Sequence, residues 1–257
     1  MSEHVTVDIV DHIATITLDR PPVNALDRAT MREIISAFDR VGGQRDVRAV
    51  VLAARGKTFC AGSDIKARND TASAPGDETE YNRLARSLND AVADCAVPVI
   101  AAVDGAALGG GLCLVAASDI VVASPRATFG LPEITVGLLG GASWATRLFG
   151  ERWARRMMLT GERFTMEELG GAEKFGALSA DDPLGHAQGV ARGVASKSPA
   201  ALRLAKRALN DIEFMELRAA YRHEQGFTAR LRDHPDSREA MSAFTEHRPA
   251  RFSDNER

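Results

Sequence analysis

Three consecutive glycines, Gly109-Gly110-Gly111, sit between an apolar run at Val99 to Val103 and the apolar segment Leu112 to Ala117. Glycine has no Cβ, so another group can approach its backbone closely. Where such a run opens a helix, the first N–H groups have no intrahelical acceptor and carry the positive end of the helix dipole. That arrangement can hold a phosphate, a carboxylate or a developing oxyanion. Two further segments, Phe59-Cys-Ala-Gly-Ser-Asp-Ile65 and Phe129-Gly-Leu-Pro-Glu-Ile134, also set small residues beside a carboxylate. Cys60, Cys95 and Cys113 are an odd number of cysteines without C-x-x-C spacing, so neither a disulfide framework nor a zinc site is expected.

The elements that must position these segments follow from periodicity. Val5 to Val10 and Ile13 to Leu18 read as a hairpin turning at Asp11-His12, and two prolines forbid the ladder from continuing through Arg20-Pro-Pro-Val-Asn-Ala-Leu26. Asp27 then caps a helix with Met31, Ile34, Ile35, Phe38 and Val41 at helical spacing, ended by Gly42-Gly43. Val47 to Ala53 is a buried strand, and Arg55 to Lys66 is a loop leading into a short helix. The polar segment Asn69 to Thr79 is a candidate lid or a plain surface loop. Tyr81 to Cys95 is an amphipathic helix feeding the strand that ends at Val103.

Beyond the glycines, Ile120 to Ala123 is a strand and Thr128 to Gly137 a compact loop. Helices are expected at Ser143 to Phe149, Trp153 to Thr160 and Leu184 to Ser196, with a capping box at Thr165-Met-Glu-Glu opening another. A long helical region from Pro199 breaks near Asn210-Asp211 and resumes from Glu213 to Leu231, and Pro235 opens a last helix. This is α/β followed by helices. We place a core at residues 1–195 and a C-terminal helical region at 196–257.

The net charge of -3 gives no electrostatic case for nucleic acid or an anionic membrane, and 5% aromatic content argues against a base-stacking platform. No apolar run approaches the ~20 residues of a membrane span. The N-terminus is polar and leads straight into a strand pattern, so a cytoplasmic protein is expected.

Taken together, the three small-residue segments resemble the signature of the crotonase, or enoyl-CoA hydratase/isomerase, superfamily. The early Pro-Pro-Val-Asn-Ala-Leu26, Gly-Leu-Leu-Gly-Gly141, Leu-Thr-Gly161 and the tail with Phe252 extend the resemblance over most of the chain. It implies a spiral of ββα units followed by a helical trimerisation region, assembled as a homotrimer or a hexamer made of two trimers. It implies an acyl-CoA thioester substrate, with no cofactor besides the CoA the substrate carries and no metal. Two backbone N–H groups, matched here to Ala61 and Gly110, would hold the thioester oxyanion. Ala61, Asp64, Ile65 and Gly110 match positions that bind the CoA ester, and Phe252 matches a tail aromatic that lies near the adenine. Lys66 and Arg68 are candidates for CoA phosphates, and Trp144 lies where the acyl pocket is lined in the family or else in the core.

One departure bears on the reaction. The resemblance implies two glutamates in a hydratase, one in the Pro-Glu segment and one two residues after the glycine run. Glu133 is present; the other position is Cys113. A single glutamate suits a proton shuttle between two carbons, the task of an isomerase, and an apolar setting (Leu131, Pro132, Ile134) would raise its pKa toward the working range. Asp64 and Asp104 are weak substitutes for the missing carboxylate, and Cys113 is expected to pack as a small hydrophobe. The alternatives are hydration by Glu133 with an unidentified helper, or a CoA-ester-binding scaffold that has lost its chemistry.

Overall fold

The computed structural model describes residues 4–71 and 77–252. β1 (Val5–Val10) and β2 (Ile13–Leu18) form the expected hairpin, with Asp11 and His12 at φ 50° and 67° supplying the primed turn that matches strand twist. The Asp27 carboxylate accepts the Thr30 N–H at 2.7 Å and caps α1 (Arg28–Gly43). β3 (Ala49–Ala54) then adds parallel to β2, β5 (Val99–Val103) to β3, and β7 (Ile120–Ala123) to β5, with the two-residue β10 (Leu178–Ser179) at the edge.

A second sheet accompanies the first. β4 (Thr58–Cys60), β6 (Ala106–Leu108) and β8 (Thr128–Gly130) pair in parallel, and β9 (Arg163–Thr165) closes the sheet antiparallel. Each turn of chain thus gives one strand to each sheet before a helix follows. After β4 come α2 (Ile65–Thr71) and α3 (Asp77–Ala93), and after β6 comes α4 (Gly110–Ala117). This is the α/β spiral of ββα units. The sequence reading left β4, β6 and β8 as loop, because three residues are too few to show alternation. The middle of the polar stretch after Asn69, read as a candidate lid, lies outside the described residues, and its ends belong to α2 and α3.

Two helical expectations need correction. Thr165 and Glu168 do exchange capping-box bonds, Thr165 N–H to Glu168 Oε2 at 2.8 Å and Glu168 N–H to Thr165 Oγ1 at 3.2 Å. The segment nevertheless stays a turn, because Gly170 and Gly171 follow at φ 85° and 91°. In the C-terminal region the break comes after Ile212, near Asn210-Asp211 as expected, but the helix resumes at Leu217 rather than Glu213. The helices there are α7 (Pro183–Ala195), α8 (Pro199–Ile212), α9 (Leu217–Arg232) and α10 (Pro235–Thr245), preceded by α5 (Ala142–Phe149) and α6 (Glu151–Thr160).

Alanines set how close the late helices lie. Ala187, Ala191 and Ala195 recur every four residues on α7 and pack on Val51, Ile100 and Val122 of the first sheet. α8 is tied to the core by polar contacts instead. Lys206, only 4% exposed, reaches Asp119 at 2.6 Å, and the same carboxylate oxygen accepts the Val99 N–H at 2.7 Å. Asn210 donates to Ala93 O at 2.9 Å. Removing one member of a buried pair strands the other charge, which costs about 3 kcal/mol or more. Asp119→Ala is therefore expected to lower unfolding stability by about 3 kcal/mol in urea titrations; a loss within about 0.5 kcal/mol, the range of an indifferent surface change, contradicts the assignment.

Candidate active site

The glycine run opens α4 as expected. Gly109 takes φ 53°, ψ -118°, a conformation suited to glycine, and its carbonyl accepts the first intrahelical bond, from Cys113 N–H at 3.0 Å. The N–H groups between them, Gly110 to Leu112, are the orphans of the helix start. Gly111 faces β4, where a Cβ would stand 2.3 Å from Cys60 O. Gly110 faces Leu26 and Gly62.

Gly62 belongs to the first small-residue loop. At φ 85° it lies so close to α4 that a Cβ would come 2.8 Å from Leu108 O and 3.2 Å from Gly110 N. The loop is registered on Leu26 through a parallel bridge to Ser63, with Leu26 N–H donating to Gly62 O at 2.8 Å and Asp64 N–H to Leu26 O at 2.9 Å. In that pattern the flanking residues make the bonds, and the bridged residue turns its own N–H to the opposite side. Ser63, beside Gly62 and hence beside Gly110, is so turned.

Ala61 does not have a free N–H. It donates to Val23 O at 3.0 Å, in the Pro-Pro-Val loop. The N–H of Ala61 is thus engaged by the Pro-Pro-Val loop, whereas that of Ser63, two residues on, is turned away from Leu26. Nothing in the local sequence separates the two; the difference lies in the register of residues 20–26 against residues 61–64.

Asp64 is held as part of the scaffold. One carboxylate oxygen accepts the Ala67 N–H at 3.1 Å, the other the Arg20 guanidinium at 2.7 Å, and these contacts hold its pKa below the usual carboxylate range. Ile65 begins α2, half-buried, and Lys66 is exposed. Asp104 pairs with Arg126 at 2.6 Å and accepts from Ser124 Oγ at 3.0 Å. Phe252 follows Arg251, whose N–H donates to Glu239 on α10 at 2.8 Å. Phe252 is not among the groups brought against Gly109 and Gly110. Trp144, on α5, is half-buried against the core with Arg147 over its ring at 5.8 Å.

Glu133 is brought to the glycines. It lies in the 3-10 helix Pro132–Val136, begun by its proline and closed by Gly137 at φ 73°. A Cβ on Gly109 would stand 2.0 Å from Glu133 Oε1, so the carboxyl end occupies the space that glycine leaves. Oε2 is buried and has no hydrogen-bond partner among the described residues. Burial pushes the Glu133 pKa up, partly offset by its backbone N–H and by the Arg68 charge. Cys113 lies beside it, its thiol pushed up to about 12 by burial first and by the Glu133 charge second. A thiol so held stays protonated at neutral pH, as the packing role requires. Among the described residues the site thus sets the N–H groups of the α4 start beside one carboxyl, that of Glu133.

The family model described as "Enoyl-CoA hydratase/isomerase" matches residues 8–255. A Mycobacterium tuberculosis protein named "(7aS)-7a-methyl-1,5-dioxo-2,3,5,6,7,7a-hexahydro-1H-indene-carboxyl-CoA hydrolase" is 40% identical over 85% of this chain and 89% of its own length. A Rhodococcus jostii protein of the same name is 37% identical over 96% of each chain. The crystal structure of a Bacillus anthracis enoyl-CoA hydratase superposes with a TM-score of 0.88 at 28% identity, covering 98% of this chain and 100% of that one.

The raised Glu133 pKa has a consequence for stability. The native state holds this proton more tightly than the unfolded chain does, so the carboxyl's contribution to stability is lost as pH rises from the ordinary value of 4.5 through the raised one. Glu133→Gln removes that loss. The melting temperature of the variant relative to wild type is expected to climb over this range; a constant difference contradicts the shift.

Proposed function

The chain belongs to the enoyl-CoA hydratase/isomerase family, and on that premise we propose that it holds a thioester enolate between the Ser63 and Gly110 N–H groups, with Glu133 as the single proton-transferring carboxyl. The observation that carries this reading is the buried Oε2 of Glu133, beside Gly109 and without a hydrogen-bond partner among the described residues. An acyl-CoA whose carbonyl oxygen lies between the two donors turns its Cα toward that carboxyl. Loss of a Cα proton to Glu133 sends the electron pair into the carbonyl, where the donors and the α4 dipole receive the charge. Where the acyl chain has a double bond between its third and fourth carbons, the electron pair spreads over it as a dienolate, and return of the proton at the fourth carbon leaves the double bond next to Cα, an isomerisation. A carboxyl with a raised pKa suits both directions of transfer.

A hydratase of the two-carboxylate kind asks for a second acid or base. Asp64 and Asp104 are engaged elsewhere, and Cys113 is a protonated thiol. Chemistry by one carboxyl is therefore the favoured reading, and a buried Glu133 Oε2 without a hydrogen bond among the described residues also argues against a scaffold without activity. A second reading gains support from the two relatives named as hydrolases of a dioxo bicyclic CoA ester. There Glu133 takes a proton from water, the hydroxide adds to a ring ketone β to the thioester, and the C–C bond breaks. Its electron pair becomes the same enolate, which Glu133 protonates. Both readings use the same donors and the same carboxyl, with no cofactor besides the substrate's CoA.

Exposed apolar side chains after α8, Phe214 at 91% and Phe244 at 81%, support association into a homotrimer or a hexamer made of two trimers. Among the described residues no helix is long and apolar enough to cross a membrane.

Incubation with crotonyl-CoA, with its isomer bearing the double bond one carbon further, and with a cyclic β-keto acyl-CoA distinguishes the reactions by mass and chromatography. Isomerisation or ring opening is expected, with Glu133→Gln lowering turnover at least about a hundredfold while CoA-ester binding survives. Undiminished turnover in Glu133→Gln contradicts the mechanism, and efficient water addition to crotonyl-CoA contradicts the single-carboxyl reading.

A further inference from the structure

Arg20 follows β2, and its guanidinium reaches three groups at once. Nη2 lies 2.7 Å from Asp64 Oδ2 and 3.0 Å from Asp27 Oδ2, while Nη1 donates to Ala25 O at 3.1 Å. The Arg20 backbone is anchored by Asn24, which is 3% exposed. Arg20 N–H donates to Asn24 Oδ1 at 2.8 Å, and Asn24 Nδ2 donates to Arg55 O at 2.9 Å and Thr58 O at 2.8 Å. Arg20 is thereby held by the β3–β4 turn at its backbone and by two carboxylates at its tip.

The contact with Ala25 O begins a series of bonds that ends at Ser63. Ala25 C=O and Leu26 N–H belong to one peptide unit, and in a trans peptide they point in opposite directions. Leu26 N–H donates to Gly62 O at 2.8 Å. Gly62 C=O and Ser63 N–H form the next unit, and the Leu26–Ser63 bridge turns that N–H away from Leu26. The guanidinium, the Ala25–Leu26 peptide and the Gly62–Ser63 peptide therefore lie head to tail, with the Ser63 N–H at the end.

Hydrogen bonds in such a chain polarise one another, by about 10–30% per bond. A donor on Ala25 O draws electron density along the first peptide and makes Leu26 N–H a stronger donor. Through Gly62 O, Leu26 does the same for Ser63 N–H. The chain starts at a charged donor, whose bond is roughly twice as strong as a neutral one. Asp27 and Asp64 offset the guanidinium charge at longer range, so its influence on Ser63 travels through the bonds and the tilt they give each peptide plane.

Resting on the thioester-enolate reading above, and deepening it, we infer that Arg20 is a positioning residue for the oxyanion. Through the two peptides it aims and strengthens the Ser63 N–H without itself being one of the donors.

Butyryl-CoA carrying carbon-13 at its carbonyl, bound to the full chain, reports donor strength through the carbonyl stretch in difference infrared spectra. Hydrogen bonding lowers that frequency, so the wild-type band is expected below that of the free ester. Arg20→Lys is the decisive variant, because one ammonium keeps the pairing with the carboxylates but has no second nitrogen to place at Ala25 O. Its melting temperature should stay near that of wild type, while the bound carbonyl band moves back toward the free position. Arg20→Met loses both kinds of contact and is expected to move the band further. It should also slow Cα deuterium exchange at saturating butyryl-CoA about tenfold, with the dissociation constant changed by no more than about threefold. An arginine that served stability alone would lower the melting temperature and leave band and exchange in place. A wild-type band position in Arg20→Lys overturns the inference, a test that stands even where Arg20→Met does not fold; undiminished exchange in Arg20→Met overturns it too. A wild-type band that coincides with that of the free ester contradicts the donor reading itself.

Discussion

The constraint on which the site depends is the approach of two backbone segments closer than any side chain permits. Gly62 and Gly110 come from separate turns of the spiral, and a Cβ at Gly62 would crowd both Leu108 O and Gly110 N. This contact brings the start of α4 beside the Ser63 loop. The loop's register rests on Leu26, and that of Leu26 on the hydrogen-bonded stretch between the first hairpin and α1. Donors fixed by backbone contacts of this kind need little reorganisation when charge develops between them, which is the basis of electrostatic stabilisation.

Glu133 supplies the complementary half. Its carboxyl fills the space that Gly109 leaves, with Oε2 buried and without a partner among the described residues, an arrangement that costs folding free energy. Such a cost persists where a function uses it. Cys113 in the adjoining position stays a protonated thiol, held so by its burial and by the Glu133 charge.

Much of the fold was legible in the sequence where the signal is local. The hairpin at Asp11-His12, the Asp27 cap, the three glycines at the α4 start and the prolines opening α8 and α10 all act within a few residues. The second sheet was not legible, because β4, β6 and β8 acquire meaning only when Thr58, Ala106 and Thr128 line up across long separations. The same holds at the site. Gly110 and Glu133 could be picked from their motifs, yet the choice between Ala61 and Ser63 turns on a bridge to Leu26, some 37 residues earlier. Arg68, read from the sequence as a candidate for CoA phosphates, lies over the ring of Tyr81, which arrives from another helix.

Enolate formation at Cα, assisted by Glu133, is the central claim, and proton exchange reports it without reference to the overall reaction. Butyryl-CoA incubated in heavy water with the protein and followed by mass spectrometry should gain deuterium at Cα with wild type and none above the uncatalysed rate with Glu133→Gln. Exchange that persists in Glu133→Gln, or is absent from wild type that binds the ester, would contradict the account.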